Sequence, residues 1–167
     1  AADGSNPVLA LTVGFSKLTG ALQGILLMLG ATYEGNIPAE LLGNLSGAPL
    51  DSVKQAMNIL AQLGFVQRSM RYGQPYYSLH PLIYEFAQAG LRRSNKLDGL
   101  QEKFRDTLIA YIKKYQGGTE SDYDKLAAAM DNIRALARWS TEKGDNTIIN
   151  ELVMLLPPVI NGRLLPI

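Results

Sequence analysis

Residues 64–81 read GFVQRSMRYGQPYYSLHP, and this stretch decides the fold. The FV pair at its start and the YY pair near its end have the aromatic and β-branched character of strands. The segment RYGQP between them contains the residues of a tight turn. The stretch therefore predicts a β-hairpin. His80, the only histidine of the chain, follows the hairpin and precedes a helical pattern.

Three segments with helical periodicity precede the hairpin. The first covers about residues 16–31, where Gly24 is expected to allow close packing, and the second is PAELLGNL, which begins at Pro38. The third is PLDSVKQAMNILAQLG, residues 49–64, and its apolar face consists of Val53, Ala56, Met57, Leu60 and Leu63. Three helices followed by a two-stranded hairpin are typical of the winged helix-turn-helix. A three-helix bundle with an irregular loop would leave the two β-rich pairs unexplained.

The chain after His80 is helical throughout. The segment PLIYEFAQAGLRR has an apolar face that consists of Leu82, Ile83, Phe86 and Ala87. Short breaks separate the later helical patterns, which predicts antiparallel helical hairpins in a TPR-like or superhelical array. We therefore predict a mainly α chain with a winged-helix domain at residues 1–95, of which 1–6 are a flexible lead, and a helical domain at residues 96–167.

Two breaks in the helical domain carry specific predictions. In QGGTESD, either Thr119 or Ser121 is expected to cap the next helix, which would run to Gly144. A last helix begins in DNTIINELV, and Pro157 and Pro158 are expected to kink or end it.

The composition excludes several kinds of site. The 167 residues include no cysteine and one histidine, so disulfides, thiol catalysis and Cys- or His-rich zinc sites are excluded. The net charge of +1 gives no general attraction to nucleic acid or to membranes, and no apolar run reaches the ~18 residues of a spanning helix. No glycine-rich phosphate loop or nucleophile–base pattern occurs, so we expect no enzyme activity. The opening AADGSNP is no signal peptide, and we interpret both ends as cut from a longer chain.

DNA binding is the first interpretation of any winged helix, because its third helix fits the major groove. The residues here that could contact DNA are Lys54, Gln55, Asn58, Arg68 and Arg71. Phosphate contacts need several cations, and the third helix has one lysine and no arginine. A protein–protein module is therefore favoured over a nucleic-acid partner. The alternative kept open is a DNA-binding transcriptional regulator with a helical dimerisation or ligand domain.

Three segments also resemble a known family. The run GFVQRSMRYGQPYYSLHPLIYEFAQAGL resembles the winged-helix domain of the NB-ARC class of STAND signal-transduction ATPases, where a hydrophobic–His–x motif ends a strand. That motif is here Leu79-His80-Pro81. The upstream segment FSKLTGALQGILLMLGATYEGNIPAELLGNL is similar to the sequence with which that domain begins in the family. The downstream AMDNIRALARWSTEKGD resembles the start of the helical repeats of bacterial members. The resemblance extends over about residues 18–155.

The resemblance implies a function for His80. In the family this histidine contacts the β-phosphate of ADP in the off state, and exchange for ATP releases it. One departure matters, because Pro81 stands where many members have Asp. The present chain has no P-loop, so it would not itself hydrolyse ATP. Independently of the family, His80 could simply cap the following helix or bond to a backbone carbonyl.

The resemblance also implies the surroundings of the chain. It would be the nucleotide-sensing regulatory arm of a cytoplasmic signal-transduction ATPase. Its partners would be an upstream nucleotide-binding domain, downstream repeats of the same chain and other proteins, with no membrane. The chain itself would hold no cofactor, and the longer protein would bind ADP or ATP with Mg²⁺.

Overall fold

The computed structural model describes residues 7–156, which form nine helices and one three-stranded antiparallel sheet. The helices are α1 (Pro7–Ser16), α2 (Gly20–Leu29), α3 (Ala39–Ser46), α4 (Leu50–Gln62), α5 (Pro81–Arg93), α6 (Leu97–Lys114), α7 (Glu120–Ala128), α8 (Met130–Glu142) and α9 (Asn146–Leu155). The strands are β1 (Asn36–Pro38), β2 (Val66–Arg71) and β3 (Gln74–Leu79). Among these helices, none has both the length and the apolar character that crossing a membrane requires.

The predicted hairpin is confirmed. β2 and β3 pair antiparallel from Val66 opposite Leu79 to Arg71 opposite Gln74. The two-residue turn between them has φ of 50° at Tyr72 and 75° at Gly73. Positive φ at both positions matches the right-handed twist of the strands, and this explains why the turn closes so tightly.

The sheet has a third strand that the sequence did not predict. β1 pairs with the other side of β3, so that the strand order is β1-β3-β2. β1 contains only three residues, ends in proline and has no alternating pattern of its own. Its extended form is explained by its pairing with β3, which is a tertiary effect.

The predicted helices need three corrections. The first predicted helix begins at Gly20 instead of near residue 16, because the Thr19 hydroxyl caps it by accepting from the Leu22 N–H at 3.3 Å. α1 precedes it and was not predicted. The single helix expected to end at Gly144 is two helices, α7 and α8, which meet at Ala129. Residues 126–130 are all buried there, so packing decides the turn.

Thr119 is the N-cap of α7, which confirms one of the two predicted candidates. Its hydroxyl accepts from the Asp122 N–H, and the Asp122 carboxylate accepts from the Thr119 N–H. This reciprocal arrangement is a capping box. The flexible lead at residues 1–6 and the effect of Pro157 and Pro158 lie outside the described residues.

Two details of the predicted packing are wrong. Leu63 is 57% exposed, whereas Val53, Met57 and Leu60 are buried. α4 ends at Gln62, and Leu63 is its C-cap, so Leu63 does not continue the buried face of the helix. Apart from its own helix backbone and chain neighbours, a Cβ added at Gly24 would meet no atom of residues 7–156 within 4 Å, so that glycine does not allow close packing.

The glycine at the closest helix contact is Gly30. A Cβ there would lie 2.8 Å from the backbone carbon of Ala87 on α5.

One hydrophobic core includes residues from both predicted domains. Helices α2–α4 contribute Leu26, Leu41, Leu45 and Met57, and the helices after residue 96 contribute Phe104, Leu108, Ile133 and Leu136. Polar contacts accompany this packing: the Asn132 side-chain N–H donates to the carbonyl of Asn36 at 2.6 Å. The helices that follow residue 96 therefore pack directly on the sheet and on α3.

Candidate functional site

His80 lies between the end of β3 and the start of α5, and its side chain is exposed. Its Nδ1 accepts a hydrogen bond from the backbone N–H of Leu82 at 3.1 Å. Its own carbonyl accepts from the Tyr84 N–H at 2.9 Å. Pro81, the first residue of the helix, has no N–H that needs a partner. His80 is therefore the N-cap of α5, which is the structural role weighed from the sequence.

The capping bond determines which ring nitrogen can donate. Because Nδ1 accepts a hydrogen bond, the proton of the neutral imidazole is on Nε2. The hydrogen bond from the Leu82 N–H orients the ring at the strand–helix junction. The exposed junction thus offers an N–H donor that suits an anionic oxygen, such as that of a phosphate or a carboxylate.

His80 lines a groove of about 630 Å³. The apolar or small residues of the groove come from α1, the α1–α2 turn, the α4–β2 turn and α5, and they are Pro7, Ala10, Leu11, Gly14, Leu18, Leu63, Gly64, Phe65, Leu82 and Ile83. Among residues 7–156, Lys17 is the other polar residue of the lining, and no carboxylate lines this groove. We refer to it as the His80 groove, and it combines an apolar floor with an ammonium and an imidazole.

α1 forms one wall of the His80 groove. Its sequence, PVLALTVGFS, has no charged residue, and Val8, Leu9 and Val13 are 46–60% exposed. The Phe15 ring contacts the Phe86 ring of α5 edge to face, with centroids 5.4 Å apart. Sequence reasoning missed this wall and Lys17. The available signal was the uncharged run that starts at Pro7, a suitable first residue of a helix.

The structure brings three of the five residues considered for DNA binding together in one groove. Lys54, Asn58 and Arg68 line a second groove of about 640 Å³ between α4 and the hairpin, and Arg68 donates to the Asn58 side-chain oxygen at 2.6 Å. Gln55 is exposed on α4 but does not line the groove. Arg71 bonds to Asp131 on α8. We call the second groove the β2 groove.

A charged cluster joins α3 to the helices that follow residue 96. The Glu40 carboxylate accepts a short hydrogen bond from the Tyr115 hydroxyl. It also forms an ion pair with Lys125, in which the Lys125 Nζ lies 2.9 Å from the Glu40 Oε1. Burial alone would raise the pKa of Glu40, but the bonds from Tyr115 and Lys125 outweigh it and lower this pKa. Burial and the bond to Glu40 raise the pKa of Tyr115 to about 12. An ionised, paired carboxylate of this kind serves structure and is poorly suited to accept a proton from a substrate.

Comparison of the chain with family models, with curated proteins and with solved structures found no match in any of the three. Any functional assignment therefore depends on the residues themselves. Within residues 7–156 no group of three or more His, Cys, Asp or Glu side chains is arranged to hold a metal ion.

Proposed function

We propose that this chain is the regulatory arm of a STAND ATPase of the NB-ARC class. In this proposal α2–α5 with the β2–β3 hairpin act as a winged helix that senses the bound nucleotide. The helices from α6 onward then begin a TPR-like interaction region. The order of helices, hairpin and helix agrees with the order that the resemblance implies, and it supports the proposal.

The observation that carries the proposal is the orientation of His80. Its ring is exposed, its Nδ1 is occupied by Leu82, and its Nε2–H is therefore the donor. In the proposed off state this donor bonds to the β-phosphate of ADP in the nucleotide-binding domain. Lys17, which lines the same groove, supplies a positive charge that favours the diphosphate.

Contacts between the two predicted domains offer a route for the signal. Asn36 on β1 bonds to Asn132 on α8, and Glu40 on α3 pairs with Lys125 on α7. If loss of ADP frees the winged helix, these contacts transmit its displacement to the following helices. The nucleotide then acts by its different affinity for two arrangements of the domains.

The test uses the full-length protein that contains this chain, with His80→Asp. Aspartate still caps a helix, because its oxygen accepts from the backbone, but it cannot donate to phosphate and repels it. We expect ADP to dissociate about tenfold faster or more, as for the loss of one charge-assisted hydrogen bond. ATP affinity in the same variant is the internal control and should change less. Unchanged ADP dissociation, or a reading frame with no P-loop upstream, would contradict the proposal.

A further inference from the structure

β2 is an edge strand, and one side of its backbone has no partner among the described residues. The two-residue turn makes Arg71 and Gln74 a hydrogen-bonded pair, and pairing then alternates along the strands. The N–H and C=O groups of Ser69 and Gln67 therefore point to β3. Those of residues 66, 68 and 70 point outward, and within residues 7–156 they form no backbone hydrogen bond.

Pro75 supports this alternation. It lies opposite Met70, at a position where the pairing requires no N–H from β3. β1 pairs only as far as Tyr76, so the missing N–H of Pro75 is not needed on that side either.

The β2 groove lies between this strand and α4, and it is positively charged. In the described part of the chain, Lys54 and Arg68 are the only charged residues that line it, and no carboxylate does. Met70, also in the lining, is 65% exposed. The surface therefore offers outward main-chain donors and acceptors, two cations and an apolar side chain.

We propose that β2 binds an extended acidic peptide segment of a partner protein as a fourth strand of the sheet. The partner backbone would pair with the exposed residues Arg68 and Met70, since Val66 is buried, and alternate carboxylates would face Lys54 and Arg68. This surface is separate from the His80 groove, so the inference does not depend on the proposed nucleotide sensing.

Two other occupants fit the charges less well. A second copy of the chain, paired antiparallel and centred on Arg68, would bring two guanidinium groups opposite each other, which is destabilising. Nucleic acid needs several cations for its phosphates, and Arg71 is already paired with Asp131.

The test is fluorescence anisotropy with a labelled, end-capped octapeptide that alternates glutamate and threonine. A matched peptide has lysine in place of glutamate. We expect the acidic peptide to bind with a Kd on the order of 10–100 µM and the lysine peptide to bind at least about tenfold more weakly. Arg68→Glu should weaken binding by about tenfold or more. Lys103→Glu, a change of the same charge at an exposed site on α6, should leave it unchanged.

Backbone pairing is tested by two further measurements. Met70→Pro removes an outward N–H without removing a charge, and it should abolish binding. Amide hydrogen exchange of the unmodified chain is independent of any folding defect. Added peptide should slow exchange of the Arg68 and Met70 amides. Exchange at Gln67 and Ser69 should change less, because their N–H groups are already bonded to β3.

Three results would overturn the proposal. These are no binding of the acidic peptide, binding without slower exchange at Arg68 and Met70, or a preference for random-sequence duplex DNA with steep salt dependence that Arg68→Glu abolishes. The last result would assign the groove to nucleic acid.

Discussion

The guanidinium of Arg71 on β2 bonds to the carboxylate of Asp131 on α8 at 2.5 Å, across 60 residues of sequence. The same guanidinium lies 4.1 Å from the centroid of the Tyr76 ring. Arg71 therefore contacts both an anion and an aromatic face, a combination for which the planar, delocalised guanidinium is better suited than a lysine. This contact connects the hairpin to the helices that cover it.

Removing this pair should reveal a measurable coupling energy. In a double-mutant cycle of Arg71→Ala and Asp131→Ala, followed by urea unfolding, we expect a coupling of about 0.5–1 kcal/mol, because both side chains are about one-third or more exposed. Arg105 and Asp106 are sequence neighbours whose pair crosses no interface, and the same cycle there should give about zero. Equal couplings for the two pairs would show that the interface contact has no special strength.

Leu60→Ala should destabilise the chain strongly, and Leu63→Ala should not. Leu60 is fully buried on α4, so its truncation should cost about 2–5 kcal/mol. Leu63 is 57% exposed, so the same change should stay within about 0.5 kcal/mol. Urea midpoints measure both. A comparable loss of unfolding free energy in the two variants would contradict the burial of Leu60 and the exposure of Leu63 on α4.

Gly30→Ala and Gly24→Ala should have opposite effects on stability. The added methyl at Gly30 would press against the backbone of Ala87 and should cost about 1–3 kcal/mol. At Gly24 the methyl meets no described atom of another element within 4 Å and raises helix propensity, so a gain of up to about 1 kcal/mol is expected. Thermal unfolding distinguishes them. A stabilised Gly30→Ala variant would contradict the close approach of α2 and α5.

Glu40 should make stability depend on acid pH. Its pKa is lowered in the folded state, since hydrogen bonds from Tyr115 and Lys125 outweigh the opposing effect of burial. A lowered pKa means that the stabilising contribution is present above the unfolded pKa and is lost as the pH falls through the folded pKa. The difference in unfolding free energy between wild type and Glu40→Gln should therefore be largest near neutral pH and decrease below about pH 5.

Urea unfolding at several pH values measures that difference. Glu142→Gln, at an exposed site, is the matched control for the loss of one carboxylate. A Glu40→Gln difference that stays constant from neutral to acid pH would show that the pKa of Glu40 is not lowered by folding.

His80→Ala should cost little stability. It removes the single capping bond to Leu82, for which a loss of about 0.5–1 kcal/mol is expected. His80→Asp keeps an acceptor at the N-cap and should differ from wild type by less than about 0.5 kcal/mol. Denaturation of the two variants separates capping from other contributions. Equal, large losses would indicate that the imidazole ring packs in a way that its exposure does not show.

Local chemistry explains which parts of the fold could be predicted. The hairpin follows from strand formers on either side of a turn that Gly73 permits, and the start of α7 follows from the spacing of Thr119 and Asp122. Each of these features depends on residues that are neighbours in sequence. The short strand β1 and the break at Ala129 depend on contacts with distant elements, and no local pattern indicates them.

The same distinction applies to the site. The position of His80 between a strand and a helix was evident from the sequence, and its exposure agrees with what a ligand contact requires. Its neighbour Lys17 became apparent only with the packing of α1. The pairing of Arg71 with Asp131, which removes a cation from the surface considered for DNA, depends on a helix 60 residues away.

The long sequence separations between the sheet and its covering helices have a consequence for protein synthesis. Asn132, whose side chain bonds to the carbonyl of Asn36, is synthesised 96 residues after it. Lys125 is synthesised 85 residues after its partner Glu40. At about 5–20 residues per second, a ribosome needs several seconds to supply those partners. The hairpin turn at Tyr72 and Gly73 closes locally within microseconds. The nascent chain can therefore complete its sheet while the side chains of Lys125 and Asn132 have not yet been synthesised.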